Sequence, residues 1–483
     1  MASSDKNNST TEHWTDYLPI CSDSGVGFSP NQRYRADGGR REEHEFEDQS
    51  FHFHLEDKAC YLYGVFDGYN GKAAAEFSAQ KLPAELLLGQ LMDNMSDDEV
   101  KEVLKQAIIE VEKGFFDSIG DKLVEKTLIQ EEIADMNEYD AIQQFPLKVN
   151  RLRAIEQEIA CGSTAVVALI YNDKLFVTNV GNSRAVLSSY DSNGHLNIRQ
   201  LSTDHVISNE DELMRLSNLG LDIESIRHGL KLGNHDSTRC IGDYTVKGGY
   251  QEFDILSGAS AEPVIGEPDS FGGLVIDESF YFLVLMSDGI YKSLENSTVL
   301  QHDANVEIVR LIDNEIQAQA TINGVCQAVV DKICRYHHDG FMNQNKLCES
   351  RDDMTLLLRL FNARLGGRTP SPLSKLDGIH PLSDVNSPPF VRFPVPSGGF
   401  TLPPTFNSPQ GAQPRLIRDP PFRGQDAATV SNASEPSHVA SPAVQQQPGQ
   451  TDSEFIESYV DFTEYYRALE MHGEDFVLNT VQL

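Results

Sequence analysis

Apolar residues are spaced along this chain in two rhythms, and the points where one gives way to the other divide it into elements. Residues 61–66 form a short aromatic and β-branched run that Asp67-Gly68 ends, the pattern of a buried strand closed by a turn. The full stretch Tyr63-Gly64-Val65-Phe66-Asp67-Gly68-Tyr69-Asn70-Gly71 sets a carboxylate at that strand end, and Gly68 and Gly71 free the backbone to turn. Residues 73–91 and 97–119 then carry apolar side chains three and four apart: Leu82, Leu86 and Leu87, followed by Val100, Val103, Leu104, Ala107, Ile108 and Val111. That spacing predicts helices. Residues 123–158 keep the helical period, with a break near Phe145-Pro146.

The period then shortens. Residues 164–170, 175–179 and 184–187, separated by Asn172-Asp173 and Gly181-Asn182, predict adjacent hairpin strands. A helix is predicted over 210–219, capped by Ser208 or Asn209 and stopped by Gly220. Residues 279–286 are too continuously apolar for a surface strand and are predicted to lie centrally. Amphipathic helices follow over 306–316 and 322–337, and residues 353–360 close the domain as a strand. Upstream, 14–19 is a short apolar anchor, and between 24 and 48 only a strand start is expected.

From residue 364 the pattern is lost. Sixteen of the 22 prolines lie between Pro370 and Pro448, among Ser, Gln and Gly. Such a segment buries too little apolar surface to offset its ordering entropy and reads as a disordered linker. It contains Thr369-Pro370, Ser371-Pro372, Ser387-Pro388, Ser408-Pro409 and Ser441-Pro442, candidate sites for proline-directed phosphorylation, and residues 387–396 make an apolar docking segment for a proline-directed MAP kinase. An apolar pattern returns after 451. Tyr459, Phe462, Tyr465, Tyr466 and Leu469 fall within an arc of roughly 120° on a helix. A helix this short is marginal alone, so it forms either in a partner's groove or against its own domain. The organisation expected is therefore a disordered N-terminus (1–13), a folded domain (14–364), a linker (365–450), an amphipathic helix (451–471) and a tail (472–483).

Composition narrows the classes. Lys and Arg total 39 against 73 Asp and Glu, a formal charge of −34, which argues against nucleic acid or an anionic membrane as partner. The seven cysteines (21, 60, 161, 240, 326, 334 and 348) are scattered with no C-x-x-C pair, so they are expected reduced and mostly buried, in a cytosolic or nuclear compartment, and a cytoplasmic location is the expectation. Neither a signal peptide nor a membrane-spanning run is expected.

The order of motifs resembles the metal-dependent type 2C serine/threonine protein phosphatases. Val65-Phe66-Asp67-Gly68-Tyr69-Asn70-Gly71 resembles V-F-D-G-H-G-G, and Cys161-Gly162-Ser163-Thr164-Ala165 resembles S-G-S-T-A. Asn179-Val180-Gly181-Asn182-Ser183-Arg184-Ala185 is similar to N-V-G-D-S-R-A, and residues 201–205 to L-T-x-D-H. Arg239-Cys240-Ile241-Gly242-Asp243 resembles R-A-L-G-D, Glu267-Pro268 the A-E-P element, Met286-Ser287-Asp288-Gly289-Ile290 A-S-D-G-L, and Arg351-Asp352-Asp353-Met354-Thr355 R-D-N-M-T. The resemblance implies an α+β fold, a four-layer α-β-β-α sandwich with a two-metal cleft at one end. It also implies Asp67, the Gly68 carbonyl, Asp288 and Asp352 as remnant metal ligands.

Four positions depart from the pattern. The N-terminal motif should hold an acidic pair after an arginine. Aligned one way the pair becomes Asp37-Gly38; aligned the other, Arg33 takes the ligand position, and either way a ligand is lost. Tyr69 replaces a histidine that is a candidate general acid, Asn182 replaces an Asp, and Lys292 sets an ammonium where the family has a carboxylate. These changes imply a pseudophosphatase with no catalytic residues and no resident cofactor. Weak manganese or magnesium binding with slow residual Ser/Thr phosphatase activity remains the alternative. The tail resembles the Y-V-D-F-x-E-F-Y-R helix of adaptors that bind a TGF-beta-activated MAP kinase kinase kinase, which implies that kinase as the partner.

Overall fold

The computed structural model describes residues 13–366, apart from 36–38, 56–59, 88–90, 93, 228–231, 233–236 and 298–302. The linker, the docking segment 387–396, all five Ser/Thr-Pro sites and the tail helix lie outside the described residues.

Ten strands build two antiparallel sheets: β1 (Ser24–Ser29), β2 (Gln49–Leu55), β3 (Cys60–Phe66), β4 (Ala165–Tyr171), β5 (Lys174–Val180), β6 (Arg184–Tyr190), β7 (Leu196–Gln200), β8 (Asp269–Val275), β9 (Phe280–Met286) and β10 (Met354–Leu360). One sheet has the order β8-β5-β4-β3-β2 and the other β1-β10-β9-β6-β7. The helices are α1 (Ala73–Leu87), α2 (Asp97–Ile133), α3 (Glu138–Gln144), α4 (Pro146–Ile159), α5 (Glu210–Asn218), α6 (Ile223–Arg227), α7 (Asp288–Ser297), α8 (Ala304–Ala318) and α9 (Ile322–Met342).

The continuous apolar runs have a simple cause: both faces of each sheet are covered. In β4, Val166, Ala168 and Ile170 point inward to meet Leu283, Leu285 and Leu357 of the opposite sheet. Alternate residues Val167 and Leu169 point outward, onto Leu104 and Ile108 of α2 and Leu82 and Leu86 of α1. On the second sheet Phe282, Val284, Leu356 and Leu358 face Ile308 and Ile312 of α8 and Val329 and Ile333 of α9. Strands read at period two thus appear uniformly apolar because each residue has a hydrophobic layer to enter. The expected α-β-β-α sandwich is the fold.

Several local readings are corrected. Residues 24–48 hold β1 and two further short strands, Gln32–Tyr34 and Arg40–Arg41, not one strand start. β2 was not anticipated, although Phe51-His52-Phe53-His54-Leu55 alternates as a half-buried strand should. α2 runs without a break to Ile133, because Gly120 meets no crowding and its helix cost of about 1 kcal/mol is absorbed by packing on α4. β4 and β5 do form a hairpin, but β6 crosses to the other sheet. The 14–19 anchor buries no residue of its short 3-10 helix, but Leu18 packs against the core under α1 and α2, and the backbone adds to the hold, with His54 N donating to Pro19 O at 2.8 Å and Ile20 bridging Phe53. All seven cysteines are free, and all but Cys334 are buried.

Candidate metal centre

Strand register brings the acidic residues to one edge of the sandwich. Gln49 pairs with Phe66, so one step further on Asp48 stands opposite Asp67. On the second sheet Arg184 pairs with Met286, and Met286 with Leu356, which carries Asn182, Asp288 and the Asp352-Asp353 pair to the same end. The two sheets are tied there: Asp288 N donates to Asp67 Oδ2 at 3.2 Å. Thr355 N donates to Ser287 Oγ at 2.9 Å, holding the β10 start against the α7 start. Gly68 and Gly289 permit this closeness. A Cβ on Gly68 would stand 2.5 Å from Glu47 O, and one on Gly289 would stand 1.9 Å from Asp353 O.

The carboxylates crowd one another. Burial holds the Asp67 carboxyl well above its ordinary range, and Asp288, Asp48 and Asp352 push it further. Asp48 is only 1% exposed, and neither of its oxygens has a hydrogen-bond partner among the described residues. Burial raises its pKa strongly; nearby Thr355 and Ser287 hydroxyls oppose the shift, while Asp353 and Asp352 add to it. Asp352 opens to the cleft but is ringed by protein, and burial together with Asp288 pushes it up to about 6. Glu47 is raised by burial, with His44 acting in the other direction, and its Oε1 accepts from Gly71 N at 2.7 Å. Converging carboxylates with unpaired buried oxygens form a donor set suited to a hard divalent cation, and the residues present fit one.

Two protein groups already reach into this set. Lys292 follows Asp288 by one turn of α7, and its Nζ lies 2.7 Å from Asp288 Oδ2. Asn182 Nδ2 donates to the same oxygen, also at 2.7 Å. Behind Asn182 the wall is rigid: Tyr291 OH donates to Asn182 O at 3.1 Å, and the Arg184 guanidinium stacks 3.6 Å from the Tyr291 ring centre. Tyr69 is turned to a different task. Its hydroxyl donates to Asp243 Oδ2 at 3.2 Å, and its ring fills the space that a Cβ on Gly162 would need. Burial, with Cys240 and Asp243, raises its pKa well above that of an ordinary phenol.

Of the two N-terminal alignments, the structure speaks against the one that sets Arg33 at a ligand position. Arg33 is exposed and pairs with Glu43 at 2.9 Å; it is not among the groups that shift Asp67. Residues 36–38 lie outside the described residues. The acidic pair is present after all, as Glu47-Asp48 immediately before β2. The signal that could have found it is the alternation of 51–55, which marks a strand with an acidic pair just ahead of it, antiparallel to the strand ending at Asp67. Asp67, Gly68, Asp288 and Asp352 do converge as expected, with Asn182 and Lys292 beside them. His44 and Asp353 were not anticipated. The expected kinase-binding residues Tyr459, Phe462, Tyr465, Tyr466 and Leu469, and the phosphorylation candidates Thr369, Ser371, Ser387, Ser408 and Ser441, lie outside the described residues.

A double antiparallel sandwich with outer helix layers and a carboxylate cluster at one edge defines a phosphatase 2C-type domain. The chain belongs to the protein phosphatase 2C family, whose description residues 29–339 match. It is similar to the Caenorhabditis elegans protein "TGF-beta-activated kinase 1 and MAP3K7-binding protein 1", 28% identical over 349 residues that cover 71% of this chain and 82% of that protein. It is also similar to the Arabidopsis thaliana "Probable protein phosphatase 2C 40", 28% identical over 270 residues, where it spans about half of each chain (49% of both). Among solved structures, the serine-threonine phosphatase 2C of Toxoplasma gondii aligns with a TM-score of 0.46 and 16% identity, covering 71% of this chain and 97% of that one.

Proposed function

We propose that this protein is an adaptor: its phosphatase 2C domain has lost turnover, and its C-terminal helix binds and activates a TGF-beta-activated MAP kinase kinase kinase in cytoplasmic stress and cytokine signalling. One observation carries the loss of turnover. A single oxygen of Asp288 takes both the Lys292 ammonium and the Asn182 amide at 2.7 Å, so a protein cation stands where charge on a metal or a phosphate would be managed. Tyr69 adds to it, because its proton is committed to Asp243 and is too weakly acidic for general acid work near neutrality. The kinase assignment draws on the printed name of the Caenorhabditis elegans relative and on the aromatic stripe Tyr459, Phe462, Tyr465, Tyr466 and Leu469. A proline-directed MAP kinase, distinct from the kinase held by the tail, would phosphorylate the Ser/Thr-Pro sites of the linker, with 387–396 as its docking segment.

A second reading has its own support. Glu47, Asp48, Asp67, Asp288 and Asp352 are all acidic, so the chain keeps the residues to hold manganese or magnesium, with the Gly68 carbonyl. A bound ion would supply phosphate binding and an acidified water. On this reading the protein is a weak Ser/Thr phosphatase and the tail is a targeting device.

Phosphate release from a phosphoserine peptide, measured across manganese concentrations on the full chain, separates the two. The adaptor reading expects no turnover at any concentration, and co-precipitation of the kinase that is lost when residues 451–483 are deleted. Metal-dependent turnover would establish the enzyme reading, and kinase retention after the deletion would move the docking surface to the folded domain.

A further inference from the structure

We infer that the seam between the short strand pair Gln32–Tyr34 and Ser350–Arg351 and the helix α9 holds a small monovalent anion of the size of chloride, bound by Arg351, Gln32 and His337. Arg351 is a buried charge without a counter-charge. It is 6% exposed, and a guanidinium cannot shed its proton. Its Nη1 lies 3.0 Å from Met354 Sδ, a weak acceptor, and its Nη2 reaches Gln32 Oε1 only at 3.5 Å. Its Nε has no partner, and no carboxylate pairs with it among the described residues, although Asp352 follows it in the chain. Leaving a buried ion unpaired is among the most destabilising arrangements a fold can hold.

The groups around the guanidinium are of one sign. Gln32 stands opposite Arg351 in the strand register, and it is 8% exposed. It turns its carbonyl oxygen to Arg351, which leaves its Nε2 donor unpartnered. His337 of α9 is fully buried, and neither ring nitrogen has a partner. Burial, then Arg351, pushes its pKa down to about 4, so near neutrality it is uncharged and offers one N–H. The Tyr34 ring stacks 6.1 Å from His337 and 4.3 Å from Phe341. Burial raises the Tyr34 phenol, with Gln32 and Arg351 acting the other way, so it keeps its proton and supplies no negative charge. Three buried side chains thus present an N–H without an acceptor beside one full positive charge. None of them belongs to the carboxylate cleft.

That combination decides the kind of ligand. A water molecule would accept the hydrogen bonds but leave the charge uncompensated. A dianion such as phosphate would reverse the sign of the buried charge and leave it as costly as before. A monovalent anion accepts from Arg351 Nε, Gln32 Nε2 and the His337 N–H and neutralises the guanidinium. It would tie α9 to the residues that lead into β10, and so act on the stability of the domain. The test is therefore one of stability and anion binding.

The full chain is dialysed into sodium gluconate and melted as chloride replaces gluconate at constant ionic strength, so that screening does not change. The wild-type melting temperature is expected to rise by roughly 2–4 °C once chloride reaches 10 to 100 times its Kd. In Gln32→Leu, which removes one donor at similar size, the chloride needed for the same rise should increase about tenfold or more. A readout that needs no variant comes from crystals of the full chain grown in bromide, where an anomalous peak is expected in contact with Arg351 Nε. The proposal is overturned if the wild-type chain melts alike in gluconate and chloride, or if Gln32→Leu responds to chloride as the wild type does. It is also overturned if the bromide crystals show a water without anomalous signal at Arg351.

Discussion

Replacing Lys292 by Met removes the one charge while keeping most of the side-chain volume, and it should strengthen binding of manganese at the Asp67–Asp288 position. The magnitude follows from the ion pair. Nζ lies 2.7 Å from Asp288 Oδ2. A divalent ion on the other oxygen of that carboxylate, at about 2.1–2.2 Å, would sit on the order of 5 Å from the ammonium. Repulsion between charges of +2 and +1 at that distance is about 1.7 kcal/mol in water and about 3 kcal/mol at half that dielectric. The Lys292 side chain is 42% exposed, so salt and solvent screen part of this. An effect of about 1–2 kcal/mol remains, a gain of roughly 5- to 30-fold in affinity. Calorimetric titration of manganese into the stripped wild-type and Lys292→Met chains, at low and high ionic strength, reads it directly. The gain should shrink as salt rises. Unchanged affinity at both ionic strengths would mean that Lys292 turns outward in solution and does not guard the site.

The pKa of Asp352 predicts a second difference. Its carboxyl titrates near 6 in the fold against 3.8 as the ordinary value, so the folded state holds the proton longer, and stability falls as pH rises across that window. Asp352→Asn should therefore stabilise the metal-free protein above pH 6 and lose that advantage below pH 3.8, as followed by urea denaturation in EDTA. Gly289→Ala should cost about 2–3 kcal/mol in the same assay, since its Cβ would stand 1.9 Å from Asp353 O, a backbone atom with nowhere to go. Gly120→Ala, in the open interior of α2, should instead gain about 0.5–1 kcal/mol. In the tail, Phe462→Ala should weaken kinase binding by about 2–4 kcal/mol, and Glu464→Ala, off the aromatic stripe, by under about 1 kcal/mol. Equal losses in both tail variants, measured by calorimetry with the purified kinase, would mean that the helix face is misassigned.

What the sequence determined by itself is local. The uniformly apolar run 279–286 demanded a strand covered on both faces, and β9 lies third of five with helices outside and a sheet inside. Asp67 was legible as a site residue because it follows a buried strand at a glycine turn, whereas Asp288, the first residue of α7, was reached only through the resemblance of its motif. The Lys292 contact was implicit in helical spacing, four residues after Asp288 on α7. Tertiary structure decided everything that depends on which strand ends meet. Glu47-Asp48 became site residues only through the register of β2 on β3, and the period that defines a strand does not say what it pairs with. Likewise β6 left its apparent hairpin for the other sheet, a choice made by the hydrophobic faces it could bury. Tyr69 found Asp243 across 174 residues, and Asn31 found Asp353 across 322. Periodicity is a property of the chain within one element. The convergence of residues 31, 44–48, 67, 182, 288 and 352–353 is a property of sheet pairing, whose energy comes from packing between segments far apart in sequence.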